Sequence, residues 1–139
     1  MTTVEEALEG TTPLAQKVRA GGPYRSTAEL IAQMRAVLPA LTEMEKVETL
    51  NAHPRIGEDP SRLSTRSHRE QGDDTLPELE RLNAEYERRF GFRFVVFVNR
   101  RPKSEIVEVL RRRLGRSRAE EMDEGLHAIV DIAEDRLRP

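Results

Sequence analysis

The chain contains no cysteine. Disulfides, thiolate metal sites and a cysteine nucleophile are thereby excluded, and stability must come from packing. Tryptophan is absent as well, and four Phe and two Tyr are set against 35% charged residues. That balance suits helices with well-solvated outer faces better than a β-sandwich. Neither sign of charge is in marked excess: the formal net charge is −2, without the positive field on which non-specific nucleic-acid binders depend. No apolar run approaches the roughly 20 residues of a membrane span, and Met1-Thr2-Thr3-Val4-Glu5-Glu6 shows no basic start followed by an apolar stretch. Arg136-Leu137-Arg138-Pro139 is not a Ser-Lys-Leu type address. A soluble cytoplasmic protein is expected, with neither nucleic acid nor membrane as partner. There is no His-Glu-x-x-His, no carboxylate cluster at ligand spacing and no glycine-rich nucleotide loop, so no metal and no cofactor is expected.

What is present is a string of capped helices. At 139 residues the chain can bury one core, and one domain over residues 1–139 is expected. Thr12-Pro13 opens a helix that Gly21-Gly22 ends. Ser26 with Glu29 opens another, with Leu30, Ile31, Met34, Val37 and Leu38 on its apolar face and Pro39 as its end. Thr42 with Glu45 opens a third, which must stop at or before His53 because Pro54 pushes the preceding residue out of the α region. Residues 54–74 lack periodicity and read as a loop. Thr75 with Glu78 opens a helix carrying Leu79, Leu82, Tyr86 and Phe90 inward and ending at Gly91; Ser104 caps one to about Leu114, and Ser117 with Glu120 caps the last, to about Leu137. Phe92 to Val98 is β-branched and aromatic, extended by local propensity, and has no second strand to pair with. The sequence therefore predicts an all-α bundle of about six to eight helices with one extended segment crossing the core. Unpaired backbone groups of that segment would be open to a ligand.

Two fragments invite a chemical reading. His53-Pro54 stands at a helix-to-loop corner, and Ser67-His68-Arg69-Glu70-Gln71 follows across a Gly/Pro/Ser-rich stretch. An imidazole and a carboxylate so placed can fold together as an acid/base pair, and a carboxylate nearby would orient the ring. The plainer readings are a helix-end histidine bonded to a carbonyl and a capping box at Ser67-x-x-Glu70. Gln71 both donates and accepts, which suits a urea or amide ligand. Arg136 projects about 20° from Ile129 and about 40° from Ile132 at 100° per residue, inside the apolar arc of the last helix. It is either a snorkelling charge that complements the helix C-terminus or an anion or carbonyl anchor in a polar pocket. His127, Arg100-Arg101 and Arg111-Arg112-Arg113 read as solvated surface, with a phosphate-binding patch as the alternative for the arginine runs.

Taken in order, His53-Pro54-Arg55-Ile56-Gly57, Ser67-x-x-Glu70-Gln71, Leu82-Asn83-x-x-Tyr86, Phe90-Gly91-Phe92-x-Phe94-Val95-Val96 and Arg136-Leu137 resemble the 2-oxo-4-hydroxy-4-carboxy-5-ureidoimidazoline (OHCU) decarboxylases, which complete the oxidation of urate to (S)-allantoin. The match runs over about residues 23 to 137. The resemblance implies an all-helical, cofactor-free lyase, a homodimer, acting on a small-molecule substrate. It places the catalytic roles on His53 and Glu70, and substrate contacts on Pro54, Ser67, Gln71, Arg136 and the backbone of Phe94, Val95, Val96, Phe97 and Val98. Two stretches depart from the family pattern: Gly21-Gly22-Pro23-Tyr24, where Arg-Pro-Phe is usual, and Gly72-Asp73-Asp74 after the Glu-Gln pair. They leave room for a related ureido or imidazoline acid as substrate. The reading outside enzymology is a helical interaction module in which Ser67/Glu70 is only a cap.

Overall fold

The computed structural model describes residues 2–56 and 77–138. The Thr75 cap, most of the 54–74 loop, and Ser67, His68, Glu70, Gln71 and Gly72-Asp73-Asp74 lie outside the described residues. Within them the chain is all-α, with seven helices: α1 (Val4–Ala7), α2 (Pro13–Ala20), α3 (Thr27–Val37), α4 (Glu43–Asn51), α5 (Pro77–Phe90), α6 (Lys103–Arg113) and α7 (Arg118–Leu137). A single 3-10 turn, Leu38–Ala40, follows α3.

The caps set most of these starts. Thr42 and Ser117 each accept from the backbone N–H three residues on, and Glu45 and Glu120 return the bond to the cap's own N–H. Ser26 caps α3 through the Glu29 N–H, but the Glu29 carboxylate takes the N–H of Arg25 instead of closing the box. Pro39 does not end α3 outright; the chain tightens into the 3-10 turn that contains it. α1 was not foreseen, although Thr3 and Glu6 form a full capping box. Ser104 is not a cap: the Pro102 carbonyl accepts from Glu105 and Ile106, so α6 begins ahead of the serine.

α7 is the central helix, packed by α1, α3 and α4, while α2 lies on α3 and α4 and α5 pairs with α6. Where α4 meets α7, a Cβ on Gly125 would come within 2.8 Å of Leu50 Cδ2, so glycine permits the approach. The buried core draws on Leu14, Met34, Leu50, Leu79, Leu110 and Ile129, among others, from α2 to α7.

Phe92 to Val98 runs extended between these helices with no strand partner among the described residues. Phe92 and Phe94 pack edge-on to Tyr86, at 6.1 and 5.3 Å between ring centroids. Side chains replace the missing ladder. Arg113 Nη1 donates to the Val95 carbonyl at 2.9 Å, Arg101 donates to the carbonyls of Phe97 (2.6 Å) and Val98 (3.1 Å), and the Arg93 N–H bonds Asn51 Oδ1 at 2.9 Å. Two expectations are thereby corrected. Arg113 is not solvated surface but 1% exposed, and Arg101 folds back onto the chain; Arg111, Arg112 and Arg100 are exposed as expected. Arg113 is held by Glu121, itself fully buried, whose Oε1 accepts from Arg113 Nε and from the Tyr86 hydroxyl, both at 2.7 Å. Burial first, then the hydrogen bond to Glu121, pushes the Tyr86 phenol above its ordinary pKa, so it stays a donor.

Removing Glu121 leaves the buried Arg113 with the part-exposed Glu124 carboxylate at 3.4 Å as its counter-charge, a much poorer compensation. Glu121→Ala should cost roughly 3–5 kcal/mol. Tyr86→Phe removes one donor and leaves the ion pair, for about 1–2 kcal/mol. Urea unfolding checks both: the midpoints should fall in that order with the slope unchanged. Equal midpoints would show that the ion pair does not carry the stability assigned to it.

Candidate active site

α4 ends at Asn51, with Ala52 as its C-cap, and the His53 N–H still bonds the Leu50 carbonyl at 3.3 Å. The helix stops here, as Pro54 requires, and His53 at the corner is 3% exposed. Three contacts pin the turn. Arg93 Nη1 donates to the His53 carbonyl at 3.0 Å, Asn83 Nδ2 donates to the Ile56 carbonyl, and Arg55 forms a two-pronged pair with Glu87 at 2.6 and 3.0 Å. The first links His53 directly to the extended segment.

These elements enclose a cavity of about 400 Å³, lined by His53, Pro54, the whole of Phe94 to Val98, and Arg136. Every expected site residue that lies within the described residues thus lines one cavity. Ser67, Glu70 and Gln71 lie outside them. The expectation for the extended segment needs one refinement: its Val95, Phe97 and Val98 carbonyls are taken by arginines, and the groups that meet no partner among the described residues are its backbone N–H groups from Phe94 to Val98 and the carbonyls of Phe94 and Val96.

Arg136 faces the core, as its helical position predicts, and is 4% exposed. It does not snorkel. Its Nη2 lies 2.7 Å from Glu9 Oε1, and its Nη1 donates to the carbonyls of Ala7 (3.2 Å) and Glu6 (3.4 Å). Glu9 was missed by the sequence reading. Its backbone is left-handed (φ 63), as is that of Gly10 (φ 112), and this corner after α1 turns the carboxylate toward α7.

Among the described residues neither ring nitrogen of His53 makes a well-formed hydrogen bond, and the Thr49 backbone interacts with the ring only weakly. Burial lowers its pKa to about 4; the Glu9 charge and the Thr49 backbone pull upward and the Arg136 charge pushes down. The ring is therefore neutral at working pH. A second, more open cavity of about 390 Å³ shares Val96, Phe97 and Asn99 with the first as lining residues. At its edge His127 is not simply solvated: Arg35 Nη1 lies 2.9 Å from His127 Nδ1, and Arg35 Nη2 donates to Asp131 at 2.6 Å. A guanidinium only donates, so Nδ1 of His127 is the acceptor. Among the described residues no cluster of His, Asp and Glu could hold a metal ion, and no helix is long and apolar enough to cross a membrane.

The His53 environment ties stability to pH. The unfolded imidazole takes up its proton near 6.5 and the folded one near 4, so the contribution is complete above pH 6.5 and is lost as pH falls toward 4. Between pH 7 and pH 5 the loss should be about 2 kcal/mol. Urea midpoints at the two pH values, compared between wild type and His53→Gln, measure it: the wild type should lose more. An identical loss in both would place the imidazole in water.

The chain matches the family model described as OHCU decarboxylase over residues 1–138. It is 30% identical over 132 residues to 2-oxo-4-hydroxy-4-carboxy-5-ureidoimidazoline decarboxylase of Haloferax volcanii, covering 89% of this chain and 78% of the relative. It is also 30% identical over 143 residues to the uric acid degradation bifunctional protein PucL of Bacillus subtilis, covering 97% of this chain but 29% of that longer protein. Among solved structures, an OHCU decarboxylase crystallised in the presence of (S)-allantoin superposes with a TM-score of 0.76 at 21% identity, covering 97% of this chain and 95% of the other, which bears on the fold. With a family match that spans the described helices and the cavity they enclose, the chain belongs to the OHCU decarboxylase family.

Proposed function

We propose that the chain decarboxylates 2-oxo-4-hydroxy-4-carboxy-5-ureidoimidazoline to (S)-allantoin, with His53 as the acid/base and Glu70 as its partner. The observation that carries this is the convergence of His53, Pro54, Phe94 to Val98 and Arg136 on one cavity. The substrate carries hydroxyl and carboxylate on a carbon next to a C=N bond. When CO2 departs, its bonding electrons move into that C=N, so the reaction has an internal electron sink and needs no cofactor. The ring nitrogen that receives the electrons takes one proton from solvent; two transfers then remain, since the hydroxyl proton must leave as the carbonyl forms and a proton must reach the adjacent carbon.

A buried, neutral imidazole suits both transfers. It is unprotonated and ready to accept, and the imidazolium it becomes is disfavoured by burial and gives its proton up readily. The backbone N–H groups of Phe94 to Val98 supply donors for ring and ureido oxygens. Arg136 donates to a carbonyl. In this reading Ser67 and Gln71 orient the ureido group and Glu70 holds the imidazole or a ureido N–H; these three assignments rest on the family resemblance. Fixing the ring against one wall makes protonation one-sided, which is what the enzyme adds to a reaction that in free solution gives both hands.

The reading extends, on the same resemblance, to a single-domain enzyme that works as a cytoplasmic homodimer; light scattering at micromolar concentration should return twice the chain mass. Activity is tested by adding the protein to substrate made freshly from urate and following the circular dichroism of allantoin. A rapid single-handed signal is expected, falling at least about 100-fold in His53→Ala, in line with the loss of a general acid/base. A wild-type signal no faster than the protein-free blank would favour a related ureido or imidazoline acid as substrate, or a non-catalytic module.

A further inference from the structure

The Glu9–Arg136 pair has a chemical consequence at this site. A decarboxylation begins with an anion and ends with neutral CO2, so the carboxylate loses its charge on the way to the transition state. Any cation that pairs with it holds the ground state more tightly than the transition state and slows the bond-breaking step. A free buried guanidinium, with its fork matched to carboxylates, would do this efficiently. Yet Arg136 lines the cavity.

We infer that Glu9 is a positioning residue that holds Arg136 in a buried ion pair, so that the guanidinium serves as a donor to a neutral carbonyl and leaves the departing carboxylate unpaired. The inference deepens the decarboxylase reading and rests on it.

The geometry supports it from three sides. Glu9 and Arg136 side chains are 9% and 3% exposed and 2.7 Å apart, so water does not screen the pair. The Ala7 and Glu6 carbonyls at the end of α1 take a second nitrogen of the same guanidinium, which fixes its plane toward α1. Glu9 occupies a left-handed backbone position that side chains other than glycine seldom adopt, and Gly10 after it completes the turn. The opposed pulls of Glu9 and Arg136 on His53 place the pair within electrostatic reach of the imidazole. Among the described residues, the other charged groups that line the cavity, Arg100, Asp135 and Arg138, are exposed, with Arg138 3.7 Å from Asp135. Arg100 can draw an anion to the mouth through water without gripping it inside.

In the step itself, the carbon–carboxylate bond breaks, its electron pair forms a C=C bond as the C=N pair moves onto nitrogen, CO2 leaves and that nitrogen takes one proton from solvent; the proton then lost from the hydroxyl is balanced by one gained at carbon. Nothing in this sequence needs a cation on the carboxylate. It needs the ring held.

The test pairs hydantoin-5-acetate with its primary amide, one charged and one neutral ligand of the same shape, in calorimetry on wild type and Glu9→Gln, alongside steady-state kinetics. In the wild type the carboxylate should bind within about threefold of the amide, since the pair presents no net charge. In Glu9→Gln the carboxylate should tighten about tenfold with the amide unchanged, and kcat and KM should fall together. Loss of packing alone would weaken both ligands and raise KM. A wild-type preference for the carboxylate of more than tenfold would overturn the inference, even if the variant did not fold. So would unchanged kcat and KM in Glu9→Gln with an active wild type. A wild-type protein without decarboxylase activity would sink the functional reading, and this inference with it.

Discussion

The buried ion pair between Arg113 and Glu121 is the interaction on which the site depends. An extended stretch inside a helical core has no ladder to satisfy its polar groups, and each one left bare would oppose folding. Arg113 reaches the Val95 carbonyl while its guanidinium lies over the Phe94 ring, 4.7 Å from the centroid, and Glu121 with Tyr86 compensates its charge. One buried cation thereby ties α5, α6, α7 and the extended segment together. Without it the wall formed by Phe94 to Val98 would have no fixed position against α7.

A second clamp sets that wall against the histidine. Asn51 and the His53 carbonyl both bind Arg93, so the corner after α4 and the segment move as one body. The imidazole itself is left without a well-formed hydrogen bond in the described residues, which burial makes costly and which keeps its pKa low. Structure at this site is arranged around an unsatisfied base on one side and a compensated cation on the other. Groups that a stable core would pair are held open, or closed off, according to the charge the reaction moves.

Local signals in the sequence carried far. Ser and Thr caps with glutamate three residues on placed the starts of α3, α4 and α7, Pro54 placed the end of α4, and the helical position of Arg136 put it inside. The aromatic run after Gly91 was legible as extended chain because its composition broke the helical pattern. What failed was anything settled by tertiary pairing. Arg113 looked solvated as part of a run of three arginines, yet it continues the stripe of Ile106, Val109 and Leu110. Glu121 likewise shares a face with Gly125, Ala128 and Ile132. A charged residue on an apolar stripe was a usable sign in both cases, as it was for Arg136. Glu9 had no such sign, since its inward turn comes from a left-handed backbone and a partner far along the chain.

The account stands on one claim: that His53, the Phe94 to Val98 backbone and Arg136 form a single ligand site. Its most direct measurement is an NMR titration of the protein with (S)-allantoin, following the backbone amides and histidine rings. The account predicts that the amides of Phe94 to Val98 and the His53 ring shift together, saturating with one affinity. Shifts confined to the cavity at His127 and Asp131, with the His53 ring and the segment's amides unmoved, would contradict it.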